Sequence, residues 1–435
     1  MMISSDSRKS KNLVQKGVLH TDLLRTHPMN RGSLLLSPNN AHRNGSLIRR
    51  VGANLGELRG AVSMEMSPNP KRRQYALIVF SKRAYIITAT YHEDRQAFIL
   101  ADELGFSEAY CGEHVTDIAE NITSSTVFVA SLASATKNIR LGTGTVNMPN
   151  SHPAAIAGQI SMLDHMLDGR LNFGISPGGL ASDAEIFGNL DKNRNEMFVE
   201  CIDMVLDIWK KDPPYNLNGK YWNVSTEQTL MKEIGQGIIR KPLQKPHPPI
   251  ICTVVAPFSK GITAAAARGW KPISANFLMP KWVKTHWPGY VEGRNQLNEV
   301  ADPREWRIAK SIFVADDSKI AKEYALNENS PYVFYYKQLL TKMLKHGRAN
   351  LFKEDQNMAD EDIKLDDICN KLIICGTPNE VAEQILEFKE EVGEFGTLLY
   401  AGHDWKDVPL ARNSMKLMAE KVMPQINKHS NIAAE

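Results

Sequence analysis

From about Tyr75 onward, short β-branched or apolar runs alternate with stretches of helical periodicity. The runs YALIVF, SEAYCGEH, IRLGTGTV, RLNFGIS, PIICTVV, PISANF, WRIAKSIFVAD and GTLLYAG are continuous enough to be strands buried on both faces, as in a parallel sheet covered by helices. Between them, Ala97, Leu100, Ala101 and Leu104 stand at i, i+3, i+4, i+7, as do Ile202, Val205, Leu206 and Trp209, so each set lines one face of a helix. GTPNEVAEQILEF carries its own start signal, with Thr377 as N-cap, Pro378 at the first helical position and Glu380 closing a capping box. LDHMLDGR ends a helix at Gly169, and Asp164 and Arg170 within it are read as structural. Eight strands interleaved with helices predict an α/β fold, a TIM (β/α)8 barrel, because eight is the number that closes on itself. An open doubly wound sheet is disfavoured, since no G-x-G-x-x-G follows the first run. Two stretches interrupt the pattern: 211–249, rich in Pro, Gly, Tyr and Trp, with GKYWNV as one arm of a small hairpin, and 331–367, helical and charged. Both are expected to lie over the C-terminal mouth of the barrel as lids.

Composition changes the picture at one end of the chain only. The formal charge of +3 over 435 residues hides 13 Lys+Arg against 4 Asp+Glu in residues 1–74, leaving a mildly acidic remainder. Residues 1–74 are therefore read as a basic, disordered extension and 75–428 as the barrel domain. An Arg- and Ser-rich, acid-poor start also has the composition of an organelle transit peptide. The extension lacks interleaved aromatics or a nucleic-acid-binding motif, so no nucleic-acid partner is expected. No run approaches the ~18–20 apolar residues of a membrane span. Five cysteines without C-x-x-C spacing argue against a disulfide framework or zinc, and fit a cytoplasmic protein. The 12 histidines contain no H-x-H or H-E-x-x-H, so no metal site is expected.

Polar residues at the C-terminal ends of barrel strands face the mouth, where ligands bind. The second run ends in Gly112, Glu113 and His114. An imidazole that titrates near neutrality can donate and accept a proton, and a neighbouring carboxylate can fix its charge or tautomer, so Glu113 and His114 are the candidate catalytic pair. The third run ends with Val146 and Asn147 and leads to His152; the fourth supplies Gly174, Ser176, Gly178 and Gly179; the fifth supplies Thr253, Ala256 and Ser259. Glycines let backbone N–H groups approach a ligand, and hydroxyls beside a helix start suit phosphate oxygens, so this ring fits a large phosphorylated cofactor. Plainer readings stand beside these: a tight turn at ISPGG, a solvated His152 before a helix starting at Pro153, and a helix cap at Ser259.

Taken in order, LADELGFSEAYCGEHV, TKNIRLGTGTVNMPNSHP, LDHMLDGRLNFGISPGG, KPHPPI, RGWKPISANF and WRIAKSIFVAD resemble the luciferase-like flavin monooxygenases, in the limonene and alkanal monooxygenase branch. The resemblance covers about residues 91 to 317 and continues more weakly to about 425. It implies a barrel that takes reduced FMN from a separate flavin reductase and reacts it with O2. One oxygen atom is then transferred from a flavin C4a-hydroperoxide to a small hydrophobic substrate such as a terpene, alkane or aldehyde. It places Glu113 and His114 beside the isoalloxazine, His152 and Pro153 near the ring, and the flavin and phosphate contacts on Val146, Asn147, Gly174, Ser176, Gly178, Gly179, Thr253, Ala256 and Ser259. It also implies a homodimer. The chain departs from the family at Val115, where luciferase-type members often carry a second His, at Pro177, where many carry a phosphate-binding Arg, and at a first strand unlike that of its relatives. Hydride transfer with F420 on the same barrel, and a flavin-binding protein without turnover, are the alternative readings.

Overall fold

The computed structural model describes residues 61–65 and 87–429. Twelve strands occur in these residues: β1 (Ala61–Glu65), β2 (Glu108–Cys111), β3 (Arg140–Thr143), β4 (Val146–Asn147), β5 (Leu171–Ser176), β6 (Asn216–Asn218), β7 (Asn223–Ser225), β8 (Ile250–Val254), β9 (Lys271–Ser274), β10 (Arg307–Val314), β11 (Ile373–Gly376) and β12 (Thr397–Ala401). The helices are α1 (Ile87–Glu103), α2 (Ser125–Leu132), α3 (Pro153–Met166), α4 (Ala181–Ile186), α5 (Arg194–Lys210), α6 (Lys260–Ala266) and α7 (Pro280–Val283), then α8 (His286–Asn295), α9 (Ser318–Leu326), α10 (Pro331–Lys345), α11 (Leu365–Leu372), α12 (Pro378–Val392), α13 (Val408–Leu417) and α14 (Met423–Lys428).

Strands β1, β2, β3, β5, β8, β9, β10 and β12 pair in that order, and β12 returns to β1, so the sheet is closed. Seven of the eight run parallel; β1 is antiparallel to both of its neighbours. The expected first strand, YALIVF, lies outside the described residues, and its place between β12 and β2 is held by β1, from the segment read as a disordered extension. The other seven expected strands form where the apolar runs lie. Strand β11, alongside the end of β10, is a further one.

Tyr110, Ile251, Ile273, Ala309 and Leu399 from five strands meet inside the barrel and fill it. Toward the N-terminal end Arg307 grips Glu108 through Nε (2.7 Å) and Nη2 (2.6 Å), and Tyr110 donates to the same carboxylate. Burial alone would raise the Glu108 carboxyl, but Arg307 outweighs it and takes it down to about 2. Leaving either partner buried alone would cost roughly 3–5 kcal/mol, so the pair pins the register of β2 to β10 rather than serving a ligand. Gly142 packs against the Tyr110 ring, which an added Cβ would overlap at 2.4 Å. With the lower barrel filled, the barrel interior is closed at that end, and a ligand would meet the strands at the C-terminal rim.

The two interruptions behave differently. Stretch 331–367 follows β10 and α9, and it does cover the rim: Arg348 reaches Val255 O beyond β8, Trp282 donates to Leu351 O, and Tyr335 donates to Asn276 beyond β9. Stretch 211–249 follows a helix, α5, instead of a strand, so it starts at the opposite end of the barrel. Its hairpin, β6 paired with β7, climbs the outside of α5, held by Glu200 accepting from the N–H groups of Lys220, Tyr221 and Trp222. It meets the edge of the rim where Asn223 O faces His152 and where Tyr221 and Trp222 border the loop 149–152, so it flanks the mouth, and the expectation that it lies over it as a lid is corrected.

Candidate functional site

Glu113 and His114 leave the end of β2 in opposite directions. The Glu113 carboxylate accepts from Ser125 N (3.0 Å) and Ser125 Oγ (2.7 Å) at the first turn of α2, and from Asn147 N (2.9 Å) on β4. Burial raises its pKa and these three donors oppose the shift. The carboxylate is spent on joining β2, β4 and α2, so it does not fix the tautomer of His114 as the sequence reading supposed. That partner is Asp183, on α4, whose Oδ2 accepts from His114 Nδ1 at 2.9 Å. Asp183 is itself oriented by Thr116, which donates from its N (2.9 Å) and Oγ1 (2.5 Å). The other ring nitrogen, Nε2, lies 3.5 Å from Glu120 Oε2. Burial would lower the His114 pKa, but Glu120 and Asp183 outweigh it and the net shift is upward. Two carboxylates thus hold a proton on an imidazole that remains 23% exposed at the mouth.

The rim residues beyond β4 and β5 share one network. Asn147 Nδ2 donates to Glu113 O (3.0 Å), Ser176 Oγ donates to Asn147 Oδ1 (2.9 Å), and Thr145 Oγ1 and Gly178 N both donate to Ser176 Oγ. Residues from β2, β4 and β5 that lie far apart in sequence are brought together as expected. Ser176, however, has its hydroxyl committed to shaping the loop. Gly178 has φ +79°, the left-handed conformation that favours glycine, and its carbonyl accepts from Arg194 Nη1 (2.9 Å). Among the described residues that is the one hydrogen bond of Arg194, whose remaining donors stay available beside the loop. A Cβ on Gly179 would meet nothing within 4 Å, and one on Gly112 only Gly144 O at 3.4 Å, so these glycines border open space.

Gly174 is buried, and a Cβ there would lie 1.8 Å from Thr143 O; its N–H and C=O are both bonded to Thr143 Oγ1, so it serves the close approach of β3 and β5. The Val146 side chain is buried in the main hydrophobic core. His152 is exposed, caps α3 by accepting from Ala154 N, and turns toward the hairpin at Asn223. On β8, Cys252 pairs in register with Ile175, which sets Thr253 level with Ser176 on the rim. Ala256 O accepts from His286 Nε2 (2.9 Å), and Ser259 precedes α6 without spending its hydroxyl on a cap. Cys111 is buried with its thiol pushed well up by burial, so it packs and does not react.

The sequence reading missed the far side of the mouth. Ser311 Oγ on β10 accepts from Asn276 Nδ2 (3.2 Å) and Tyr336 OH (3.1 Å) and faces His403 Nε2 (3.0 Å) just beyond β12. Burial drives His403 down to about 3, which makes it a neutral ring, with the Tyr332 and Tyr335 rings packed on it at centroid distances of 4.3 and 4.9 Å. Tyr335 and Tyr336 belong to α10, so the covering segment is fastened to the barrel through this cluster.

The family model for luciferase-like monooxygenase matches residues 75–394. The chain belongs to the luciferase-like monooxygenase family. It is 28% identical over 346 residues to 3,6-diketocamphane 1,6-monooxygenase of Pseudomonas putida, covering 75% of this chain and 91% of that one. It is 25% identical over 350 residues to limonene 1,2-monooxygenase of Rhodococcus erythropolis, covering 77% and 81%. Among solved structures, the oxygenating constituent of 3,6-diketocamphane monooxygenase from Pseudomonas putida, a type II Baeyer-Villiger monooxygenase in complex with FMN, superposes with a TM-score of 0.70. That match has 27% identity and covers 79% of this chain and 94% of the other. Among the described residues, no helix of this family member is long and apolar enough to cross a membrane.

Proposed function

We propose that this luciferase-like enzyme is the oxygenating component of a two-component system that binds reduced FMN at the barrel rim and inserts one atom of O2 into a small hydrophobic substrate. The names of its relatives, a diketocamphane and a limonene monooxygenase, support a compact terpenoid within the broader class of terpenes, alkanes and aldehydes. The observation that carries the reading is the His114–Asp183 pair beside a rim of open glycine backbone. An imidazole with a fixed tautomer lies next to a loop with an under-used guanidinium, Arg194.

The donor set fits the cofactor. Arg194 beside Gly178 and the uncapped Ser259 hydroxyl suit a phosphate, and Arg194 replaces the loop arginine that Pro177 displaces. Gly112 and Gly179 leave room for a flat ring system. When bound, reduced FMN supplies the two electrons that activate O2 at its C4a position, one oxygen atom going to the substrate and the other to water. His114 holds a proton at Nε2, 3.5 Å from Glu120 Oε2, and can deliver it where negative charge develops. The aromatic cover of Tyr332, Tyr335 and Tyr336 keeps bulk water from the reacting centre.

The test is an anaerobic titration of the full chain with reduced FMN and, separately, with reduced F420, followed by a pulse of 18O2 with limonene and with a bicyclic ketone. Saturable binding of reduced FMN and 18O in a product support the reading. Binding of F420 alone, or binding of FMN with every electron appearing as H2O2, would refute it.

A further inference from the structure

Helix α10, which opens the cover formed by 331–367, is fastened to the barrel at two edges of different chemistry. On the β9–β12 side, α10 is held by buried neutral hydrogen bonds, Tyr335 OH to Asn276 Oδ1 (2.9 Å) and Tyr336 OH to Ser311 Oγ (3.1 Å). On the β2 side it is held by a cation. Lys342 Nζ lies 2.6 Å from Asp117 Oδ2 and 4.0 Å from Glu120 Oε1, in the loop that follows His114.

Glu120 is shared. Its Oε1 faces Lys342 of the cover, and its Oε2 faces His114 Nε2 at 3.5 Å. The groups facing the imidazole are therefore Asp183 from α4, Glu120 and Asp117 from its own loop, Glu113 beside it in sequence, and Lys342 from α10, with Tyr335 of α10 also close to Glu120. With His114 protonated, Asp117, Glu120 and Asp183 carry three negative charges against two positive. If Lys342 leaves, the same carboxylates surround the imidazolium alone.

We propose that Lys342 is a positioning residue through which seating of α10 on the rim sets the proton occupancy of His114. Seated, the ammonium competes with the imidazole for Glu120 and eases release of the His114 proton. Lifted, it leaves the carboxylates to His114, which keeps its proton. Closing the cover over the mouth and readying the proton are then one event, so the proton is not released while the site is open to water. The inference rests on the reading of His114 as the proton-handling group beside the flavin.

The test uses flavin-free full-length protein with 13C-labelled histidine, His114 being assigned by the signal lost in His114→Gln. Its ring is titrated by NMR in wild type and in the charge series Lys342→Arg, Lys342→Met and Lys342→Glu. The proposal requires the midpoint to stay put for Lys342→Arg, to rise for Lys342→Met, and to rise further for Lys342→Glu. The differences should shrink at high salt, and Glu120→Gln should lower the midpoint. An unchanged or lowered midpoint in Lys342→Met overturns it. So do equal shifts in the Met and Glu variants, which would show that loosened packing, not charge, moves His114. Because no flavin is present, these outcomes are independent of reduced-FMN binding, whose failure would count against the proposed function alone.

Discussion

Glu113→Gln separates a chemical role for that carboxylate from a structural one. Three donors converge on it, Ser125 N, Ser125 Oγ and Asn147 N, from two different elements. Glutamine offers one acceptor oxygen and a donating NH2, so at least one backbone N–H is left without an acceptor, at a cost of roughly 1–3 kcal/mol. Removing the negative charge from the first turn of α2 adds roughly 0.3–1 kcal/mol. The sum, about 1.3–4 kcal/mol, should lower Tm by about 2–5 °C in a domain of this size. Calorimetry on flavin-free protein measures the loss, and turnover is measured well below the transition. We expect the destabilisation, with turnover at low temperature down by less than about tenfold, because His114 takes its tautomer from Asp183. An unchanged Tm with turnover lowered by several orders of magnitude would refute the assignment of Glu113 as a strut.

Three further outcomes follow from the same contacts. His286 is fully buried and pushed down to about 4 by burial, so between pH 6.5 and 4 the unfolded chain binds a proton that the native one refuses. His286 should therefore take about 3 kcal/mol from the stability measured by urea unfolding over that interval, with His403 adding to the slope and the raised Glu113 and Glu120 carboxyls opposing it, and stability that rises as the pH falls would contradict the neutral buried ring. Gly174→Ala should abolish soluble, folded protein, since its Cβ would lie 1.8 Å from Thr143 O, whereas Gly179→Ala should unfold within about 1 kcal/mol of wild type. Arg194→Met should weaken reduced-FMN binding by roughly 10- to 100-fold in a titration while leaving riboflavin, which has no phosphate, unaffected; equal losses for both ligands would remove Arg194 from the phosphate.

How much of this was legible in the sequence depended on whether a signal was local. Seven strands and the Thr377–Glu380 capping box are where pattern and caps place them, because parallel strands are continuous apolar runs and a capping box is spelled out within four residues. Strand β11 escaped because α11 ends at Leu372 and the strand starts at Ile373, so one apolar stretch contains both periods. The run IRLGTGTV was read as a single strand, but the chain breaks after Thr143 and resumes as β4 beside β5. The partner of His114 was missed for a different reason. Nothing around Asp183 marks it except an acidic residue in the first turn of a short helix, and its meaning comes from the closure that brings the loops beyond β2 and β5 together. Glu113, adjacent in sequence, was the natural guess, yet consecutive residues leaving a strand point to opposite sides. The same closure explains why Ser311, Asn276 and His403 could not be found in advance: each is unremarkable until three strand ends share one rim.

The claim that the rim joining β2, β4, β5 and β8 is a flavin cradle is tested most directly by a crystal structure of the full chain soaked with FMN. The isoalloxazine should lie over Gly112 within contact of the His114 ring, with the phosphate meeting Arg194 and the Ser259 hydroxyl. Density for the flavin at any other surface, with His114 and Arg194 untouched, would contradict it.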